Sequence, residues 1–68
     1  MEDWKVRLTD EHDLLSEKID KLDKYIRSEM YETLIVDDKN DLKEQLMYMR
    51  NYRMVLRRRM VRHGLIEL

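Results

Sequence analysis

Apolar residues recur through the first half of the chain at helical spacing. Trp4, Leu8, His12, Leu15, Ile19, Leu22 and Ile26 follow one another by four, four, three, four, three and four residues. The pattern predicts a helix from residue 3 to about 30, with a heptad-like, coiled-coil type of seam for one apolar partner. Val6, Leu14 and Tyr25 fall off the seam and widen the apolar surface toward a second contact. The exposed side carries Glu17–Lys21, Asp20–Lys24 and Asp23–Arg27. Each is an acid four residues before a base, worth about 0.2–0.5 kcal/mol per pair on a solvated helix face.

Residues 28–37 lose the period. Three consecutive apolar residues, Leu34, Ile35 and Val36, fit no amphipathic helix, and a lone strand here would have no partner. The stretch predicts a connector that tucks Leu34 and Tyr31 under the end of a hairpin.

A second helix is predicted over about 39–63. Asp37 and Asp38 are candidate N-caps, Asp41 and Glu44 place negative charge in the first turns, and Arg57, Arg58, Arg59, Arg62 and His63 place positive charge in the last. Gly64, the one Gly, stands where a C′ residue belongs, ahead of a short apolar tail over 65–68. At about 100° per residue, Leu42, Met49, Leu56 and His63 form one line. Leu46 and Met60, with Arg53 between them, flank it on one side; Gln45, Tyr52 and Arg59 flank it on the other. Met47, Met54 and Val61 form a separate apolar row, and Lys43, Arg50 and Arg57 run between the two apolar surfaces. A helix with two apolar surfaces needs more than one partner. The fold class predicted is therefore all-α: an antiparallel helical hairpin, a single domain over 1–68, assembling into a helical-bundle homo-oligomer through Met47, Met54 and Val61.

Size supports self-association. A chain of 68 residues buries only about 60% of its unfolded surface, and small domains rely on disulfides, metals or oligomerisation. There is no Cys, and two His make a structural zinc a poor expectation. The opening Met-Glu-Asp-Trp-Lys predicts no signal peptide. No window approaches the ~20 apolar residues of a membrane span. Six Met and no Phe predict adaptable packing surfaces. Net charge is −1 but uneven: residues 1–34 hold ten acids and six bases, whereas residues 45–66 hold six Arg and no acid. The two halves can attract each other within or between chains, or the Arg-rich helix can hold an anion.

No catalytic constellation emerges, and neither a metal nor a cofactor is expected. His12 and His63 lie on facing ends of the seam without a fixed third ligand, and Ser16 has no base or Gly-rich loop to serve it. The chain is expected not to be an enzyme. Gln45, Tyr52 and Arg59 repeat every seven residues along the edge of the core. One reading is structural, with Gln45 and Tyr52 bonding across the seam and Arg59 paired to an acid of the first helix. The other is a ligand site built of Gln45, Tyr52, Arg59, Arg50, Arg53 and Tyr48: a stacking face, a two-way amide and a fork for phosphate, the chemistries a nucleotide needs. The same Arg residues with Tyr48 and Tyr52 also fit nucleic acid, but they point several ways and the net charge is not basic.

Gln45-Leu46, Met49, Tyr52, Leu56 and Arg59 follow the order Q-L-x-x-M-x-x-Y-x-x-x-L-x-x-R, preceded by Arg7, Glu11, Leu14 or Leu15, Ile19, Leu22, Ile26, Tyr31 and Leu34. In this the chain resembles small two-helix bacteriophage proteins of the crAss-like-phage-related family. The absence of Phe is a departure from members that carry it near Tyr25-Ile26 or Tyr31. The resemblance implies phage origin and action in the host cytoplasm, and brings no established activity. By analogy with other small phage helical proteins, the expected function is stoichiometric binding that counters host antiviral defence. The sharper version is a sponge for a cyclic or ADP-ribose-type nucleotide signal bound at a subunit interface. The alternatives are a module that docks on and blocks a host defence protein through its Met-rich face, and nucleic-acid binding.

Overall fold

The structure, a computed structural model, describes residues 3–66. It consists of α1 (Asp3–Ile26), a one-turn α2 (Glu29–Glu32) and α3 (Val36–Arg62). Cross-contacts fix the hairpin as antiparallel: Trp4 meets His63, Glu11 meets Tyr52 and Asp23 meets Arg50. The result is a rod of 48 × 20 × 14 Å. Among the described residues, no helix is long and apolar enough to cross a membrane.

The first helix stops at Ile26 rather than near residue 30, because Ser28 diverts the backbone. Its N–H donates to the Tyr25 carbonyl at 3.0 Å, its hydroxyl donates to the same carbonyl at 2.6 Å, and its φ/ψ of −88°/163° is extended. A Ser that bonds its local backbone competes with helix continuation. The connector is then not bare: α2 turns Tyr31 inward, where it is buried and donates its hydroxyl to the Lys39 carbonyl at 2.9 Å. The ammonium groups of Lys39 and Lys43 lie 5.7 and 6.0 Å from the ring centre, within cation–π reach. Tyr31, rather than the half-buried Leu34, plugs the closed end.

The second long helix begins at Val36, before the expected start. Ile35 is the N-cap residue in extended conformation, and the Lys39 N–H bonds its carbonyl at 3.0 Å. Asp37 and Asp38 are thus first-turn residues, not caps. There their carboxylates still complement the macrodipole. The C-terminus closes as expected: Gly64 has φ +70°, its N–H bonds the Val61 carbonyl at 3.1 Å, and the Leu65 N–H bonds the Met60 carbonyl at 2.8 Å. These are the two bonds of a Schellman motif, and the Leu65–Met60 apolar contact belongs to it. Leu65 and Ile66 pack back on the core; the rest of the tail lies outside the described residues.

The core follows the predicted seam. Leu8, Leu56 and Met60 form its central cluster, with Leu15, Leu65 and Ile66 against it. Ile19 and Leu46 are buried farther along. Of the three expected intrahelical pairs, Asp23–Arg27 closes at 3.1 Å, whereas Glu17–Lys21 and Asp20–Lys24 do not. His12 lies in the seam with Nδ1 3.1 Å from the Asp13 carboxylate and Nε2 buried without a protein partner.

Two stability effects of opposite sign follow. Leu56→Ala removes a side chain with no exposure and should cost about 2–5 kcal/mol, enough to abolish the cooperative thermal transition followed by circular dichroism. His12→Leu relieves an unpartnered buried nitrogen and should stabilise by about 1–3 kcal/mol; a lowered melting temperature would contradict that reading of the seam.

Candidate ligand groove

The phase that buries Leu46, Leu56 and Met60 also decides which α3 residues stand beside the seam. Gln45, Tyr52 and Arg59 advance by seven residues, drifting only about 20° per step, so they stay on one flank. Tyr48 lies about 40° from Tyr52 on the same flank. Gln45, Tyr48, Met49 and Tyr52, with Leu15 of α1, line an open depression of about 500 Å³ whose outer rim includes Asp41 and Glu44. Tyr52 also lines an adjoining depression of about 360 Å³ with Arg7, Asp10, Glu11, Leu14, Leu15 and Lys18 of α1. Tyr52 and Leu15 therefore stand between two adjoining depressions, together the groove of this flank.

Both phenols are held by carboxylates. Tyr52 donates its hydroxyl to Glu11 across the hairpin, and Tyr48 donates to Glu44 on its own helix at 3.1 Å. The hydrogen bond to Glu11 is the main cause that raises the Tyr52 pKa above the ordinary phenol value; partial desolvation and the Glu11 charge add to it, and the Arg59 charge opposes it. Tyr48 is raised chiefly by its hydrogen bond to Glu44. Both rings remain exposed, at 47% for Tyr52 and 58% for Tyr48. Their faces are free to stack while their hydroxyls are anchored.

The six sequence-derived candidates do not converge. Gln45, Tyr48 and Tyr52 share the groove. Arg59 stands one seven-residue step from Tyr52 and acts on its phenol by charge, without an ion pair to an acid of α1. Arg50 lies on the opposite flank, 3.3 Å from the Asp23 carboxylate. Arg53 is half-buried at the seam. Met47, Met54 and Val61 lie on the Arg50 flank, where Met54 and Val61 join Arg57, Arg58 and Arg62 around a separate depression of about 450 Å³. An interface through that row would therefore leave the Tyr52 groove uncovered. The α1 wall of the groove was readable as a second row beside the seam: Arg7, Glu11, Leu14 and Lys18 are spaced four, three and four.

Among the described residues no group of three His, Cys, Asp or Glu side chains is placed to hold a metal ion. His63 instead meets Trp4 edge-to-face, with ring centroids 4.7 Å apart and planes at 81°.

A family model described as Sequestin matches residues 2–62, which take in all three helices. No curated protein and no solved structure matches the chain.

The raised Tyr52 pKa fixes a sign for alkaline stability. The neutral, donating phenol is favoured in the folded chain, so its contribution is full below the unfolded value of about 10. It is lost as pH rises through the higher folded value, when phenolate and Glu11 carboxylate face each other. Tyr52→Phe should therefore show a shallower fall of melting temperature above about pH 10 than the unsubstituted chain. Equal slopes would mean that the Tyr52–Glu11 bond contributes nothing.

Proposed function

The chain belongs to the Sequestin family, and on that premise we propose that it acts by stoichiometric, non-enzymatic binding, as a phage protein that sequesters a nucleotide signal of host antiviral defence. The family's name is compatible with a binding, sequestering function. The observation that carries the nucleotide reading is the groove: two exposed tyrosine faces and the Gln45 amide side by side, with Arg59 next along the helix. An aromatic ring offers stacking to a base. An amide reads both donor and acceptor edges, and a guanidinium takes phosphate. Phage origin is supported by the resemblance carried by Gln45, Met49, Tyr52, Leu56 and Arg59.

Self-association is part of the same reading. Six hydrophobic residues are buried among the described residues, a small core for a free-standing domain, while Met47 and Met54 stay exposed on the other flank. With the groove and the Met row on opposite flanks, the reading assigns one ligand to each chain rather than one to each interface.

Thermal shift against a panel of cyclic dinucleotides and ADP-ribose-type nucleotides tests the binding. One member should stabilise the fold by about 2.7 kcal/mol at a hundredfold excess over Kd. Tyr52→Ala and Arg59→Ala should abolish that shift, and Arg50→Ala, on the opposite flank, should keep it. No shift from any member of the panel would end the nucleotide reading.

A further inference from the structure

Tyr52 lines both depressions of the groove, and what holds its ring there comes from the other helix. Its hydroxyl donates to the Glu11 carboxylate of α1. Tyr48 differs: its hydroxyl donates to Glu44, four residues earlier on its own helix, so that anchor does not involve α1. The Tyr52 ring is 47% exposed. An exposed side chain without a partner moves among rotamers within picoseconds to nanoseconds. An ionised carboxylate only accepts, so the phenol is the donor, and a hydrogen bond to an ionised acceptor is among the stronger kinds. Here that bond has one side chain to hold rather than a pair of helices.

We propose that Glu11 is a positioning residue of the proposed nucleotide groove, setting the Tyr52 ring as the wall between the two depressions before any nucleotide arrives. This inference rests on the groove reading above and deepens it. Glu11 acts through Tyr52 rather than on the nucleotide. Ordering a free ring during binding lowers affinity by roughly two- to tenfold, and a ring already anchored avoids that loss. The charges around the phenol agree with such an anchor. The Glu11 hydrogen bond, partial desolvation and the Glu11 charge favour the neutral, donating phenol, and the Arg59 charge on α3 opposes them; the phenol pKa is raised all the same, so the Glu11 side prevails over Arg59. Arg7, Asp10 and Lys18 of α1 are the other charged groups lining the depression that Glu11 and Tyr52 share.

Three variants of the full chain test the assignment. Glu11→Ala removes the acceptor, Glu11→Gln keeps an acceptor without the charge, and Asp23→Ala removes the inter-helix partner of Arg50 on the opposite flank. Glu11 is exposed, so both of its variants should keep their helicity by circular dichroism. Without nucleotide, nuclear Overhauser contacts between the Tyr52 ring and Leu15 should be present in the unsubstituted chain and in Glu11→Gln, and lost in Glu11→Ala. The Tyr52 phenol, followed by tyrosinate absorbance against a Tyr52→Phe reference, should titrate at lower pH in Glu11→Ala than in the unsubstituted chain. Asp23→Ala should change neither readout. With ADP-ribose and cyclic di-AMP as probes, the one that binds should bind Glu11→Ala roughly two- to tenfold more weakly and Glu11→Gln about as well as the unsubstituted chain. A Tyr52 ring that keeps its contacts and titration in Glu11→Ala would overturn the positioning role. So would unchanged affinity in Glu11→Ala, or an equal loss in Asp23→Ala, which would report general loosening of the hairpin. If neither probe binds the unsubstituted chain and the wider thermal-shift panel is also silent, the nucleotide reading fails, and the ring contacts and titration still decide whether Glu11 sets Tyr52.

Discussion

Packing of one face of α1 against one face of α3 is the interaction on which the molecule depends. Leu8, Leu56 and Met60 are its centre, and Leu65 and Ile66 reach it only because Gly64 turns the chain back at φ +70°. Little else holds the hairpin shut. Its ion pairs lie mostly at the surface, where such pairs contribute about 0–1 kcal/mol each. Tyr31 closes one end by burial and a hydrogen bond to the Lys39 carbonyl, while Trp4 and His63 meet edge-to-face at the other. A small seam with an aromatic at each end leaves little tolerance for loss in the middle.

The seam also fixes what stands outside it. Once Leu46, Leu56 and Met60 face α1, helical phase sends Tyr48 and Tyr52 to one flank and Met47 and Met54 to the other. Each flank has its own bond between the helices: Tyr52 to Glu11 on one, Arg50 to Asp23 on the other. These two exposed bonds stand one on each flank of the register that the seam sets. The six Arg of α3 are distributed by the same phase, which is why they do not act as one basic patch.

Periodicity made the seam, its partner and the C-terminal Gly64 turn legible, because each depends on spacing within a few residues. It failed where a local bond competes with a propensity. Ser28 ends α1 by bonding the Tyr25 carbonyl, and no apolar count registers that. Asp37 and Asp38 looked like caps, but the helix starts at Val36, with Ile35 as its N-cap and the Lys39 N–H on the Ile35 carbonyl. The candidate site was half legible. Gln45, Tyr48 and Tyr52 share a flank by arithmetic, whereas grouping them with Arg50 and Arg53 ignored the angle between rows. The α1 wall, including Glu11 and Leu14, depends on which side of α1 meets α3, and that relation lies between helices rather than along one.

Charge within the groove adds a constraint that the residue list alone does not show. The Tyr48 end is rimmed by Asp41 and Glu44, and the Tyr52 hydroxyl is already committed to Glu11. Arg7 on α1 and Arg59 on α3 stand beyond Tyr52, whereas Lys18 lies back toward the level of Gln45 and Tyr48. On the nucleotide proposal, a phosphate would be disfavoured at the Asp41–Glu44 end and favoured toward Arg7 and Arg59. If that proposal holds, the groove would discriminate by the placement of phosphate relative to base as well as by total charge.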